Sequence, residues 1–291
     1  MLKKLLLMAN QEVFDYTSDV LNMEVYDGFS VLFTKSPIVL QAHVDTVCKV
    51  APTQVAGDKI LSTNGILGAD DRAGVYAALA IAQFCKKRNL LMPNIVFTDY
   101  EESGAIGMQN LTEIVRKADV KHMRLMLSLD RQGVGEYVTY NKLPEQVHKY
   151  VESFGFHHDF GSFSDCKLFT EKYLIPSVNV SVGYHNQHTE REFLCVDELN
   201  LTINRVIDMI RNPIDKLYKC EKQPVAPKIY DYRYYKNNDY WRNDMEYCDY
   251  CGSAATKLHD IYEYGIAVCD KCYEYFNENG GEYETNALYR I

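Results

Sequence analysis

Ile38-Val39-Leu40-Gln41-Ala42-His43-Val44-Asp45 is an apolar run that ends on a histidine and an aspartate. A short run of this kind reads as a buried strand, predicted here over Ile38–Ala42 and ending at His43. The pattern then recurs along the chain. Asn94-Ile95-Val96-Phe97-Thr98 leads to Glu101-Glu102, Met123–Leu129 leads to Asp130, and Ser177–Val182 leads to a loop holding His185 and His188. Between the first two strands, Gly68-Ala69-Asp70-Asp71-Arg72-Ala73-Gly74 opens a stretch, Ala73–Cys85, that is rich in helix formers and apolar nearly all round. It is predicted as a buried helix. Val31-Leu32-Phe33 adds a strand, and Asp197–Arg211 a closing helix stopped by Asn212-Pro213.

Strands alternating with helices from Ser30 to about Ile210 predict an α/β fold, a mixed, mostly parallel sheet with helices on both faces. In such sheets a ligand lies outside the carboxyl ends of the strands. Each acidic or histidine motif sits at such an end or beside a glycine turn, so topology gathers them into one place.

At 291 residues the chain is long enough to bury a sizeable core without disulfides. The formal charge of −9 argues against nucleic acid as partner, because phosphate contacts need a basic surface. No apolar stretch approaches the roughly 20 residues of a membrane span. Met1-Leu2-Lys3-Lys4-Leu5-Leu6-Leu7-Met8 is too short an apolar run for an export signal and lacks a small-residue cleavage site, so an amphipathic first helix is expected. Of the nine cysteines, Cys48, Cys85, Cys166, Cys195 and Cys220 are scattered, which fits a reducing compartment and a cytoplasmic protein.

Composition divides the chain into a main domain over 1–214, a tyrosine-rich linker over 215–245 and a small unit over 246–291. Tyr230, Tyr232, Tyr234, Tyr235, Tyr240 and Trp241 resemble a base-stacking platform, but acids balance the neighbouring bases, so packing is the preferred reading. Cys248-Asp249-Tyr250-Cys251 and Cys269-Asp270-Lys271-Cys272 are 17 residues apart, the spacing of a closed structural zinc site. The unit is acidic, so this zinc-ribbon-like knuckle is expected to support structure or contact a protein rather than a nucleic acid.

Zinc takes histidine nitrogen and carboxylate oxygen, and a catalytic site keeps a position open. Two ions a few Å apart need a shared ligand and clamp both nucleophile and developing oxyanion. His43 suits a ligand, with Asp45 two residues on able to orient its other ring nitrogen. Alone, the pair also fits a strand-end turn. Asp70 and Asp71 open a helix, where one aspartate serves as a cap more comfortably than two. Glu101 and Glu102 repel each other unless a cation or proton separates them. One as ligand and one as general base resolves that repulsion. His185 and His188 both qualify as a final ligand.

These motifs, over roughly residues 30–210, resemble the co-catalytic zinc peptidases and amidohydrolases of the M20 type, with relatives among the M28 and M42 aminopeptidases. Gly68–Gly74 resembles their bridging-aspartate motif, in a form nearly identical to that of tripeptide peptidases. The resemblance implies a zinc-exopeptidase-like fold and two catalytic zinc ions (or cobalt or manganese). It makes Asp70 the bridge, with His43 and Asp130 on one ion, and Glu102 and His188 on the other. Glu101 becomes the base that deprotonates the bridging water, and Asp45 the partner of His43. His188-Thr189 with Glu192-Phe193 resembles the family's end motif, which favours His188 over His185. Ser164 and Asp165 resemble a segment near substrate, and His185 is left as a substrate contact. A cis Asp70–Asp71 bond is implied as well. M20 enzymes insert a domain-sized lid after the position of Asp130, whereas only Arg131–Phe160 intervenes in this chain. Aspartate at 130 leans toward an aminopeptidase acting on small peptides. A deacylase of N-acyl amino acids is the alternative, and a non-catalytic zinc-ribbon adaptor the reading from another class.

Overall fold

A computed structural model describes residues 1–47, 53–63, 65–161 and 164–221, the short stretches 246–247, 254–255, 259–261 and 266–268, and Asp270 and Tyr273. It divides into two compact units, Met1–Pro224 and Val225–Ile291.

The first unit opens with helices α1 (Leu2–Leu5) and α2 (Asn10–Leu21). Strands β1 (Glu24–Tyr26), β2 (Phe29–Leu32) and β3 (Ile38–His43) follow, then the hairpin β4 (Thr53–Ala56) and β5 (Lys59–Ser62). Helix α3 (Ala69–Arg88), β6 (Asn94–Thr98), α4 (Ile106–Ile114) and β7 (Leu125–Arg131) come next. The chain continues through β8 (Glu136–Val138), α5 (Glu145–Glu152), β9 (His157–Asp159), α6 (Asp165–Tyr173) and β10 (Ser177–Ser181). It ends with β11 (Tyr184–His185), β12 (Phe193–Cys195) and α7 (Val196–Arg211).

Eight strands form one sheet in the order β1-β2-β6-β3-β7-β10-β8-β9. Its centre, β6-β3-β7-β10, is parallel throughout, while β2 joins β6 and β8 joins β10 antiparallel. The predicted mostly parallel sheet is therefore present. Alternation along these strands sends Ile38, Leu40 and Ala42 into the larger core, under α3 and α7, and Val39, Val96 and Met126 into the smaller, under α4 and α6. Helices cover both faces, and all six residues of β3 are buried. A second sheet, β11-β12-β5-β4, flanks the first.

The predicted strand Asn94–Thr98 and the helix ending at Arg211 match their observed ends. The predicted helix Ala73–Cys85 extends to Ala69–Arg88, and its first turn is irregular at Asp70 and Asp71. The expected amphipathic helix at the N-terminus is only Leu2–Leu5, and Leu5 and Leu6 are both buried in the core. Arg131–Phe160, too short for a lid, instead supplies β8, α5 and β9 and extends the sheet. His157 and His158 lie in β9, where the His158 ring packs against Tyr137 and His148.

Arg72 is a buried cation within the main core. Its Nη1 donates to the carbonyls of Leu5 (2.8 Å) and Met8 (3.0 Å), and its Nη2 to Asn10 Oδ1 (2.7 Å). Burial lowers its pKa to about 10.

In the second unit, β13 (Glu246–Tyr247) pairs antiparallel with β14 (Ala254–Ala255), and β15 (His259–Ile261) with β16 (Ile266–Val268). His259 Nε2 lies 2.6 Å from Asp270 Oδ1, and its ring stacks on Tyr273. Cys248, Cys251, Cys269 and Cys272 lie outside the described residues, as do the linker aromatics and Cys48. Cys85, Cys166, Cys195 and Cys220 are buried free thiols. Among the described residues no helix is long and apolar enough to cross a membrane.

Candidate metal centre

The four parallel strands occur in the order second, first, third, fourth along the chain, so their connections diverge between β3 and β7. Ligands bind at such a switch point, beyond the carboxyl ends. His43 ends β3 and Asp130 lies at the end of β7, with His43 Nε2 3.5 Å from Asp130 Oδ1.

Each remaining residue reaches this point by its own local device. Gly68 takes the left-handed conformation (φ 71°), and the Asp70–Asp71 peptide is cis, as the resemblance implies. Asp70 and Asp71 serve opposite ends of that turn. Asp70 faces the cluster, its Oδ1 3.2 Å from His43 Nε2 and its Oδ2 3.1 Å from His188 Nε2. Asp71 points back into the fold, where it accepts the backbone N–H groups of His43 and Gly74, both at 3.1 Å. After β6, Tyr100 adopts φ 61° and turns the chain so that Glu101 and Glu102 enter the same cleft. His188, itself at φ 62°, places Nε2 2.7 Å from Glu102 Oε1. Left-handed non-glycine residues concentrate at functional sites, and two of them bracket this one.

A supporting layer fixes these groups. Asp45 accepts the backbone N–H of Glu101 (3.0 Å) and of Glu102 (3.1 Å), and its Oδ1 lies 3.2 Å from His43 Nδ1. Glu192 accepts the N–H groups of Gly68 (2.9 Å) and Asp70 (3.1 Å). Asn179 accepts the N–H of Asp130 at 3.0 Å and donates to its carbonyl, while the Tyr184 hydroxyl donates to Asp130 Oδ1 at 3.3 Å.

The electrostatics match a site built for positive charge. Burial opposes protonation of His43, yet Asp130, Asp45 and Asp70 outweigh it and raise its pKa well above the ordinary value. Hydrogen bonds to Asp70 and Glu102 raise His188 to about 10. Burial also works against the Asp70 carboxylate, but His188 and His43 hold it well below the usual range. Burial pushes Glu101 up to about 9. Excess negative charge thus draws protons onto both imidazoles, and cations relieve the same charge.

The donor set fits metal ions. Ligand atoms of His43, Asp70 and Glu102 lie within 4.8 Å of one another, and so do those of His43, Asp71 and Asp130. In the second group Asp71 is already committed to backbone N–H groups, so Asp70 is the better donor beside His43 and Asp130. The cleft has a volume of about 450 Å³, and its walls include Arg131, Tyr140, Phe160, Asn179 and Tyr184.

The structure therefore gathers His43, Asp45, Asp70, Glu101, Glu102, Asp130 and His188. Ser164, Asp165 and His185 do not line the cleft. Ser164 and Asp165 are fully buried, with Asp165 Oδ2 accepting from Thr98 Oγ1 (2.6 Å) and Gln41 Nε2 (2.7 Å). Burial raises the Asp165 pKa to about 7. His185 pairs with Glu198 at 2.6 Å and stacks on Phe193. Sequence reasoning did not find Asn179 or Tyr184. A polar residue inside the apolar strand Ser177–Val182 is a usable signal for the first, since a buried amide needs a partner.

Fold and cluster together define an α/β metallohydrolase with a co-catalytic arrangement of carboxylates and imidazoles. The chain belongs to peptidase family M28, whose model matches residues 30–192. Among solved structures it is similar to aminopeptidase PepT from Bacillus cereus (16% identity, 72% of this chain and 96% of that chain, TM-score 0.58). A tripeptidase from Staphylococcus aureus gives 17% identity over the same shares at a TM-score of 0.59. A TET aminopeptidase from a marine sediment thaumarchaeon gives 13% identity, 72% and 95% coverage, and a TM-score of 0.59. At these identities the likeness is one of fold. Comparison with curated proteins gives no match.

Proposed function

We propose that this protein is a zinc-dependent aminopeptidase acting on small peptides. His43, Asp70 and Asp130 would hold one ion, and Asp70, Glu102 and His188 the other. The observation that carries the reading is the two-sided Asp70 carboxylate, with one oxygen 3.2 Å from His43 and the other 3.1 Å from His188.

Bound zinc supplies Lewis acidity, polarising a carbonyl and easing deprotonation of water. Glu101 takes the proton of the attacking water and returns it to the leaving amine. A buried carboxyl with a raised pKa suits a group that must both accept and release a proton. Asp45 holds His43 with Nε2 facing the cluster and, through two backbone N–H groups, fixes the Glu101–Glu102 loop. Tyr184 and Asn179 hold Asp130.

Finer assignments belong to the same proposal. The Gly68–Gly74 motif and the end motif at His188–Phe193 support an M20-like, tripeptide-peptidase-like form without a lid. Cysteine spacing supports a structural zinc held by Cys248, Cys251, Cys269 and Cys272, with a protein as the partner of that unit. Composition supports the division at 214 and 245, and free thiols support the cytoplasm. A peptidase family does not favour N-acyl amino acids as substrates.

The test is a hydrolysis screen with zinc, cobalt or manganese added, comparing peptides with free and blocked N-termini and N-acyl amino acids. Free N-termini are expected to be cleaved. Glu101→Gln is expected to abolish turnover and retain metal, and unchanged turnover in that variant would remove Glu101 as the base. Preference for N-acyl amino acids would transfer the reading to a deacylase.

A further inference from the structure

Arg131 follows the ligand candidate Asp130 directly, yet both line the same cleft. Successive residues of a regular strand point to opposite faces. The β7–β10 pairing explains the exception: Ser128 pairs with Asn179, but Arg131 pairs with Ser181, so β7 carries one extra residue. A bulge of this kind re-aims a side chain. It lets Asp130 and Arg131 share the cleft.

The Arg131 side chain is only 15% exposed and its guanidinium is held from one side. Nε and Nη2 are within 3.3 Å of Glu136 Oε2, and Nη2 also donates to Asp159. Among the described residues no hydrogen bond engages Nη1, and the side chain lines the cleft, so this N–H pair is the part of the fork left for a ligand. Glu136 and Asp159 are 41% and 43% exposed, so water screens their charge while they fix the orientation of the fork. Arg131 is the one permanent cation among the described cleft residues; the other polar groups there are the acidic and imidazole cluster and the neutral Gln132, Tyr140, Asn179 and Gln187.

We propose that Arg131 receives a carboxylate of the bound peptide, so that substrates bearing one beyond the scissile bond are preferred. Guanidinium and carboxylate match in geometry and charge, and the unfilled N–H pair supplies the contact. The cleft's identity as a peptide site rests on the reading above. The carboxylate has two sources, the C-terminus of a short peptide or an Asp or Glu side chain.

The experiment measures binding independently of turnover. Tri-alanine with its first amide replaced by a CH₂–NH isostere is titrated calorimetrically into zinc-loaded protein, as the free acid and as the C-terminal amide. A second pair, both amidated, carries Asp or Asn at the middle position. The carboxylate member of one pair is expected to bind about thirtyfold more tightly. The pair that discriminates names the source. In Arg131→Met the ratio should fall toward one. Comparison within the wild type needs no variant, so misfolding of Arg131→Met does not decide the matter. Equal affinities within both wild-type pairs overturn the proposal, and so does an unchanged ratio in a folded Arg131→Met protein. Discrimination in binding without cleavage of natural peptides sinks the hydrolase reading and leaves the carboxylate receptor standing.

Discussion

Glu192 Oε1 accepts the backbone N–H of Asp70 at 3.1 Å across a separation of 122 residues. The same carboxylate takes the N–H of Gly68, so one buried side chain secures the entire turn that presents Asp70. Glu192→Ala leaves two buried donors unpaired and is expected to cost roughly 2–4 kcal/mol by chemical denaturation. Metal affinity should fall by about tenfold or more, as for other supports of metal ligands. Full metal content and wild-type stability in that variant would show that the turn holds itself.

Asp45 touches His43 and both N–H groups of the Glu101–Glu102 loop. Asp45→Asn retains its size but replaces one acceptor oxygen with a donor. The expected result is roughly 10–100-fold weaker metal binding, read by chelator competition, with the fold intact by circular dichroism. Wild-type affinity would remove Asp45 from its orienting role.

Asp165 makes a pH prediction outside the metal cluster. Burial raises its pKa in the folded protein to about 7, above the ordinary carboxylate value of 3.8. A group raised on folding contributes stability that is fully present below its unfolded pKa and lost as pH rises through its folded one. Wild-type stability should therefore decline between about pH 4 and pH 7 relative to Asp165→Asn, by roughly 2–4 kcal/mol. Parallel pH profiles of the two proteins, measured without added metal, would contradict this.

Gly74 leaves no room for a side chain, because a Cβ there would overlap the Leu129 carbonyl and the Asp71 carboxylate. Gly74→Ala is expected to destabilise by about 3 kcal/mol or more despite alanine's higher helix propensity. A variant as stable as the wild type would mean that α3 and β7 separate freely at this point.

How much was legible in the sequence follows from what each residue depends on. His43, Glu102 and Asp130 could be placed because apolar runs reveal strands, and strands of a parallel sheet bring their carboxyl ends together, while Asp70 was marked by its glycine turn and by the resemblance. His188 needed the resemblance, since spacing alone left His185 eligible as well. Asp165 was read toward substrate, and the structure buries it beneath Gln41 and Thr98. Two masses of apolar sequence on opposite faces of β3 are visible in the alternation of Ile38 to Ala42. The role of Arg131 was not visible, because it depends on one extra residue in β7, and a bulge leaves no mark in composition. Glu192, Asn179 and Tyr184 act on residues 49 to 124 positions away; Glu192 stood in the end motif and Asn179 was marked only as a polar residue in an apolar strand, but neither signal named the partner.

Arg72 stands one residue past Asp71 and is gripped by the carbonyls of Leu5 and Met8 and by the side chain of Asn10. The first ten residues therefore act as a clasp on the turn that presents Asp70. Cutting them away would strand a guanidinium deep in the core, a loss of the order of 3–5 kcal/mol. The turn that carries Asp70 is thus fastened to a segment 62 to 67 residues earlier in the chain, and loosening that segment is expected to loosen the turn.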